Sequence, residues 1–201
     1  MSDLLKGTNL YLIGMMGTGK TTVGEIIAKK LGYRFVDTDA LVEQATQQTI
    51  PDIFAKEGEA AFRQIETQVL SQVAPYTRLV VATGGGIVTQ PQNWSYLHHG
   101  IVVWLDVPLA LLQTRLKGDS QRPLLQKDNW IDQLQSLSQQ RQPLYAQADV
   151  RVAITAQQSP KTVASAALVA VHQLILENPV PTTPPAIKIH GIEPPNAADQ
   201  N

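Results

Sequence analysis

From Gly14 to Thr21 the chain reads Gly-Met-Met-Gly-Thr-Gly-Lys-Thr, a complete match to the spacing G-x-x-x-x-G-K-S/T. Glycines are needed there because phosphate oxygens must meet backbone N–H groups directly, and a side chain at the bend would stand in the way. The loop formed by Gly17, Thr18 and Gly19 would wrap the anion, and the first helical residues, Lys20, Thr21 and Thr22, would turn the positive end of a helix toward it. Lys20 can reach the outer phosphates and the Thr21 hydroxyl can ligate Mg²⁺. Nucleotide binding is the first expectation.

Two further clusters could receive what the nucleotide gives up. Asp37-Thr38-Asp39 closes a short apolar segment, and its two carboxylates are expected to alternate across a strand end, one toward the metal and one toward a neighbouring pocket. Taken alone an Asp-x-Asp is more often a solvated helix cap; its place in the topology argues for the site. Gly84-Gly85-Gly86 follows another apolar segment and suits a polar ligand held by main-chain groups, the bland alternative being a flexible strand exit. Arg63, with Glu66 one turn on as a possible holder, Arg122 beside Pro123-Leu124-Leu125, and Arg141 before Pro143-Leu144-Tyr145 supply guanidinium groups. Singly each reads as a surface cation, but arginine is the side chain suited to bidentate carboxylate binding and to neutralising phosphoryl charge.

Those residues need a frame. Strands are predicted at 9–13, 33–36, 79–82, 101–105 and 150–154, and helices at 20–31, 58–73, 108–117, 129–140 and 160–177, with further helical character after Asp39 and from Pro51. Gly32 and the pair Ser159-Pro160 mark a helix stop and a helix start. Strands alternating with helices predict an α/β layer structure around a mainly parallel sheet, since parallel neighbours require crossovers. In such sheets ligands collect beyond the carboxyl ends of the strands, so the phosphate loop, Asp37–Asp39 and Gly84–Gly86, each following a different strand, should line one crevice. The polar stretch from Gly118 to Lys127 is expected to be a lid that excludes water. Residues 1–177 are expected to form one domain, with substrate-binding helices at about 39–73 and the lid at about 116–128; residues 178–201, which hold six of the 13 prolines, are expected to be a disordered tail.

Composition narrows the classes. With 16 Lys+Arg against 17 Asp+Glu the net charge is −1, which removes a bulk electrostatic attraction to nucleic acid or to an anionic membrane. Zero cysteines exclude disulfides, thiolate chemistry and zinc–thiolate sites and are compatible with a reducing cytosol. No apolar run approaches the ~18 residues needed to span a bilayer, and the few residues before the first strand leave no room for a targeting peptide. His98-His99 reads as a solvated helix end rather than a metal pair, and Trp94, Trp104 and Trp130 could be core or surface.

Taken together, Gly14–Thr22, Asp37-Thr-Asp39, Phe62-Arg63-Gln-Ile-Glu66, Gly84-Gly-Gly86, Arg122-Pro-Leu-Leu125 and Arg141-Gln-Pro-Leu-Tyr145 resemble, in order and over about residues 8 to 176, the shikimate kinases of the small-metabolite P-loop kinase family. The resemblance implies a three-layer α/β/α P-loop kinase fold with a five-stranded parallel sheet. It implies ATP-dependent, Mg²⁺-assisted phosphorylation of the 3-hydroxyl of shikimate in the route to chorismate and aromatic amino acids. By the same likeness Asp39 contacts the acceptor hydroxyls and is the candidate base, and Asp37 holds Mg²⁺ through water. Arg63 and Arg141 clamp the substrate carboxylate, with Gly84, Gly85 and Gly86 in backbone contact. Lys20 and Arg122 serve the transferring phosphate, and Arg115 and Gln158 match positions that cover adenine. The implied protein is a cytoplasmic monomer that takes ATP and shikimate and binds neither nucleic acid nor membrane. Two other readings stay open on the sequence: a related kinase for a sugar acid or a nucleoside monophosphate, and a non-catalytic nucleotide-dependent binding module. Against the first stands an acceptor region of arginines, carboxylates and glycines rather than apolar walls for a base. Against the second stands the presence of every catalytic group.

Overall fold

A computed structural model describes residues 4–118 and 129–178. The elements run β1 (Leu10–Ile13), α1 (Lys20–Leu31), β2 (Arg34–Asp37), α2 (Thr38–Thr46), α3 (Ile50–Lys56), α4 (Gly58–Val73), β3 (Leu79–Ala82), α5 (Pro91–Leu97), β4 (Ile101–Asp106), α6 (Leu109–Leu116), α7 (Trp130–Tyr145), β5 (Val150–Ala153) and α8 (Pro160–Glu177). Five strands form one parallel sheet in the order β2-β3-β1-β4-β5.

The strands' sequences decide their places. Leu10–Ile13 and Leu79–Ala82 are apolar at every position and buried at every position, as a strand covered on both faces must be. Val150–Ala153 alternates buried and exposed residues, and Arg34–Asp37 has no fully buried position, which suits the two edges. Right-handed crossovers then place the helices. The step from β1 to β2 runs opposite to every later step, so α1 lies on one face while α4 to α7 lie on the other; α8 returns to pack beside α1. The result is the α/β/α layering that the resemblance implied. β1 sits between β3 and β4, so the segments leaving the carboxyl ends of β1 and β3 emerge side by side.

Three local expectations change. Pro91–Leu97 forms a helix that carries no strong periodic signal, held by Asn93 Nδ2 donating to Ile87 O at 2.7 Å and by Trp94 Nε1 donating to Val88 O at 3.2 Å. The helix predicted to end at Gln140 continues through Pro143 to Tyr145. Proline there removes one backbone donor, and the buried Arg141 and Tyr145 hold the last turn regardless. Asp37 and Asp39 diverge because Asp37 ends β2 and caps α2 while Asp39 already lies in that helix, not because both alternate along a strand. Trp94 and Trp104 are buried and Trp130 is half-buried, while His98 and His99 are exposed at the end of α5. Arg122 and all but the first residues of the expected lid lie outside the described residues, as does all but the first residue of the expected tail.

Candidate active site

The phosphate loop joins β1 to α1. Gly14, Gly17 and Gly19 take φ values of 140°, 77° and 90°, a left-handed backbone that L side chains resist. α1 begins without a side-chain cap and without an acidic residue in its first turn, whereas α2, α3 and α8 are capped by Asp37, Thr49 and Ser159. An uncapped start leaves backbone donors and the positive end of the dipole for an anion. Lys20 is buried and folds back along the loop, its Nζ donating to Gly14 O at 2.8 Å and Met15 O at 2.9 Å. Thr18 is buried too and donates to Met15 O at 2.8 Å. From α6, Arg115 Nη1 reaches Gly17 O and Thr18 O at 3.3 and 3.4 Å, which places its guanidinium at the tip of the loop.

Beside the loop, Asp37 divides its two oxygens. Oδ1 accepts from the backbone of Asp39 at 3.0 Å and of Ala40 at 3.5 Å, capping α2. Oδ2 accepts from the Thr21 hydroxyl at 2.8 Å. The two readings weighed for this residue, helix cap and metal-side carboxylate, are therefore compatible in one side chain. A hydroxyl and a carboxylate oxygen side by side at the mouth of the loop are hard oxygen donors of the kind Mg²⁺ takes together with substrate phosphates.

A second cluster surrounds the glycine run after β3. Gly84 N donates to Thr38 Oγ1 at 3.1 Å. A Cβ at Gly84 would collide with Glu66 Oε1 and lie 2.8 Å from Asp39 Oδ1, and one at Gly86 would collide with the Arg63 guanidinium. The triple glycine is thus the space that lets two carboxylates and a guanidinium from α2 and α4 close on the backbone. Arg63 is buried, pairing Nη1 with Glu66 Oε2 at 2.8 Å and Nη2 with Glu59 Oε1 at 3.1 Å. Burial works against its charge, and Glu66 and Glu59 more than offset that, so its pKa is raised. Glu66 is wholly buried; burial pushes its carboxyl upward against the pull of Arg63, with Asp39 adding to the rise. Its second oxygen, Oε1, has no hydrogen-bond partner among the described residues. From α7, buried Arg141 donates Nη1 to Gly85 O at 3.2 Å. Carboxylates and guanidinium groups from three helices therefore meet at one glycine run, itself against the phosphate loop: a Cβ on Gly85 would stand 3.2 Å from Met16 N and 3.5 Å from Gly14 O.

Comparison with known proteins gives the family. The family model for shikimate kinase matches residues 16–172. A shikimate kinase of a Nostoc species is 56% identical over 175 residues, which is 87% of this chain and 97% of that relative. One from Synechococcus elongatus is 53% identical over 184 residues, 92% of this chain and 96% of its own length. Among solved structures, the shikimate kinase from Acinetobacter baumannii in complex with shikimate superposes with a TM-score of 0.81 at 42% identity, covering 90% of this chain and 99% of that one. The chain belongs to the shikimate kinase family. It is accordingly an ATP-dependent phosphotransferase.

Within this family member the residues singled out in the sequence fall into three groups. Gly17, Thr18, Gly19, Lys20, Thr21, Asp37 and Arg115 sit together at the phosphate loop, with Thr22 exposed in the first turn of α1. Asp39, Arg63, Gly84, Gly85, Gly86 and Arg141 sit together at the glycine run. Gln158 lies in the turn before α8, its Oε1 accepting from Thr155 N at 2.8 Å, and no described contact ties it to the loop. Two residues carry more of the geometry than their sequence positions suggested. Glu59, at i−4 from Arg63, shares that guanidinium with Glu66; helical spacing alone could have marked it. Tyr145 donates its hydroxyl to Gly85 O at 2.5 Å, a contact across 60 residues that no local pattern announces.

Proposed function

We propose that this shikimate kinase family member transfers the γ-phosphoryl group of ATP to the 3-hydroxyl of shikimate, giving shikimate 3-phosphate and ADP on the route to chorismate and the aromatic amino acids. The observation that carries the reading is the convergence of Asp39 and Glu66 beside Gly84 with Arg63 and Arg141 beside Gly85 and Gly86, next to the phosphate loop. The two guanidinium groups suit a carboxylate and the two acids suit ring hydroxyls. The complex of the Acinetobacter baumannii relative with shikimate supports the same acceptor.

The chemistry asks mainly for positioning and charge. Arg63 and Arg141 would hold the carboxylate and so fix the ring. Asp39 would orient the 3-hydroxyl and accept its proton as the new O–P bond forms and the bond to the ADP oxygen breaks, late in the transfer. Lys20 would leave its contacts with Gly14 O and Met15 O to meet the phosphates. Arg122, outside the described residues, is assigned by resemblance to the moving group, as Arg115 and Gln158 are to the adenine side. Thr21 and Asp37 would hold Mg²⁺ with the nucleotide, which would neutralise phosphate charge there. Among the described residues no helix is long and apolar enough to cross a membrane; a monomer in the cytoplasm with ATP and shikimate as its ligands is the setting proposed.

A coupled assay of ADP release with MgATP and a panel of acceptors tests this. Turnover is expected with shikimate and not with gluconate or AMP. Release with gluconate or AMP but not with shikimate would move the acceptor to a related kinase class, and nucleotide binding without any turnover would leave a binding module.

A further inference from the structure

The Gly85–Gly86 peptide is gripped by two side chains of α7. Tyr145, in the last turn of α7, is only 1% exposed, and its hydroxyl donates to Gly85 O at 2.5 Å. Arg141, one turn earlier on the same helix, donates to that same oxygen at 3.2 Å. A peptide group is planar and trans, so fixing its carbonyl fixes the N–H on the opposite side. The N–H opposite Gly85 O belongs to Gly86, and no described residue accepts a hydrogen bond from it. Gly86 is also where the Arg63 guanidinium presses on the backbone. Ile87 N closes a turn on Gly84 O at 3.1 Å around this peptide, but type I and type II turns share that bond with the central peptide turned opposite ways, and glycines admit both, so its orientation is left to contacts from outside the turn.

Tyr145 is placed to impose it. The hydroxyl oxygen lies 3.5 Å from Met15 Sδ in the phosphate loop, and the ring stacks on Trp104 with centroids 5.9 Å apart and 25° between planes. The ring is therefore held between the phosphate loop, β4 and the glycine run. One flank borders a cavity of about 170 Å³ lined by Met15, Thr18, Trp104 and Gln142, so losing the hydroxyl forces no repacking. Burial pushes the phenol up to about 12, so it stays a proton donor at any pH at which a kinase is assayed.

We infer that Tyr145 is a positioning residue for the acceptor: by holding Gly85 O together with Arg141, it turns the Gly86 N–H into the pocket as a third donor to the acceptor's carboxylate beside Arg63 and Arg141. The inference rests on the acceptor reading given above. It assigns no chemical step to the phenol.

The test is Tyr145→Phe in the full chain, with KM for shikimate and for ATP measured on the same sample, alongside Arg141→Met. One neutral hydrogen bond lost is expected to raise KM for shikimate about fivefold while KM for ATP stays within about twofold. A purely structural role would lower the active fraction and hence apparent kcat, without moving either KM; KM does not depend on how much enzyme is folded, so a less stable variant still gives the answer. An unchanged shikimate KM in Tyr145→Phe beside a raised one in Arg141→Met would overturn the positioning role and leave the pocket standing. An unchanged shikimate KM in both would overturn the pocket reading itself.

Discussion

The phosphate loop and the proposed acceptor pocket touch, yet they are built on different principles. The loop is made of backbone from one uninterrupted stretch, Gly14 to Thr21, and its single cation is satisfied by the loop's own carbonyls at Gly14 and Met15. The acceptor pocket is made of side chains from α2, α4 and α7 and is held by opposed charges, with Arg63 and Glu66 both buried 2.8 Å apart. A backbone cradle keeps its shape when a side chain is lost. A buried ion pair does not, because each partner is what makes the other's desolvation tolerable. The same kind of loss, one cation, should therefore have opposite signatures in the two regions.

Lys20→Met should produce the largest effect on rate and the smallest on fold. Removing a cation aimed at developing phosphoryl charge is expected to cut kcat by ~10²–10³-fold or more, while shikimate affinity in a titration remains within a few fold. The unfolding midpoint should fall less than in the arginine variant below, since the carbonyls of Gly14 and Met15 lose a donor but no buried charge is left unpaired. A Lys20→Met enzyme that turns over normally would break the assignment of the cradle; one that loses shikimate binding would show that the two regions are not separable in this way.

Arg63→Met is the counterpart. Removing one partner of a desolvated, hydrogen-bonded charge pair is expected to cost ~2–5 kcal/mol in acceptor binding, read as a rise of roughly 100-fold in KM for shikimate with KM for ATP little changed. Unlike the lysine variant it should also destabilise the fold, by ~3–5 kcal/mol, because the Glu66 carboxylate is left buried without its partner. Adding Glu66→Gln should return part of the stability and none of the acceptor affinity. If Arg63→Met proves as stable as the parent, the pocket is not held by its ion pair and the contrast drawn above fails.

The contrast also explains what could be read from the residues alone. Helix α1 begins and ends where its pattern says, at Lys20 and Leu31, with Gly32 in the left-handed conformation that stops it. The loop's chemistry and its flanking elements are adjacent in the chain, so both were legible together. The i,i+3 relation of Arg63 to Glu66 was legible for the same reason. What needed coordinates is what joins distant segments. Asp37 had to be seen spending one oxygen on the α2 cap and the other on Thr21 before cap and site ceased to be alternatives. Arg141 was expected at a helix end because Pro143 follows; it lies inside α7, whose last turn is held by burial that local propensity does not contain. The union of Tyr145 with Gly85 joins residues 60 apart in the chain and leaves no periodic trace. The short helix α5 is too brief and too polar for its apolar spacing to stand out.

The smallest effect lies in alkaline stability, and it concerns Tyr145, which touches both regions. Burial raises the Tyr145 phenol from 10.0 to about 12, with Arg141 pulling the other way. Between those values the folded protein still binds the proton that the unfolded chain has released, so rising pH favours unfolding. The contribution is intact below pH 10 and is lost as pH climbs through the folded value; for a shift from 10.0 to about 12 the loss at pH 11 is on the order of 1 kcal/mol. Tyr11, also raised by burial with Asn9 opposing, adds to the same slope. Tyr145→Phe removes only its own share. In urea titrations at pH 8 the variant should be less stable than the parent by ~1 kcal/mol, the worth of its hydrogen bond, and by pH 11 that gap should close or reverse. Curves that stay parallel across this range would mean the phenol ionises as freely in the fold as out of it, and the wedge between loop and glycine run would then be open to water.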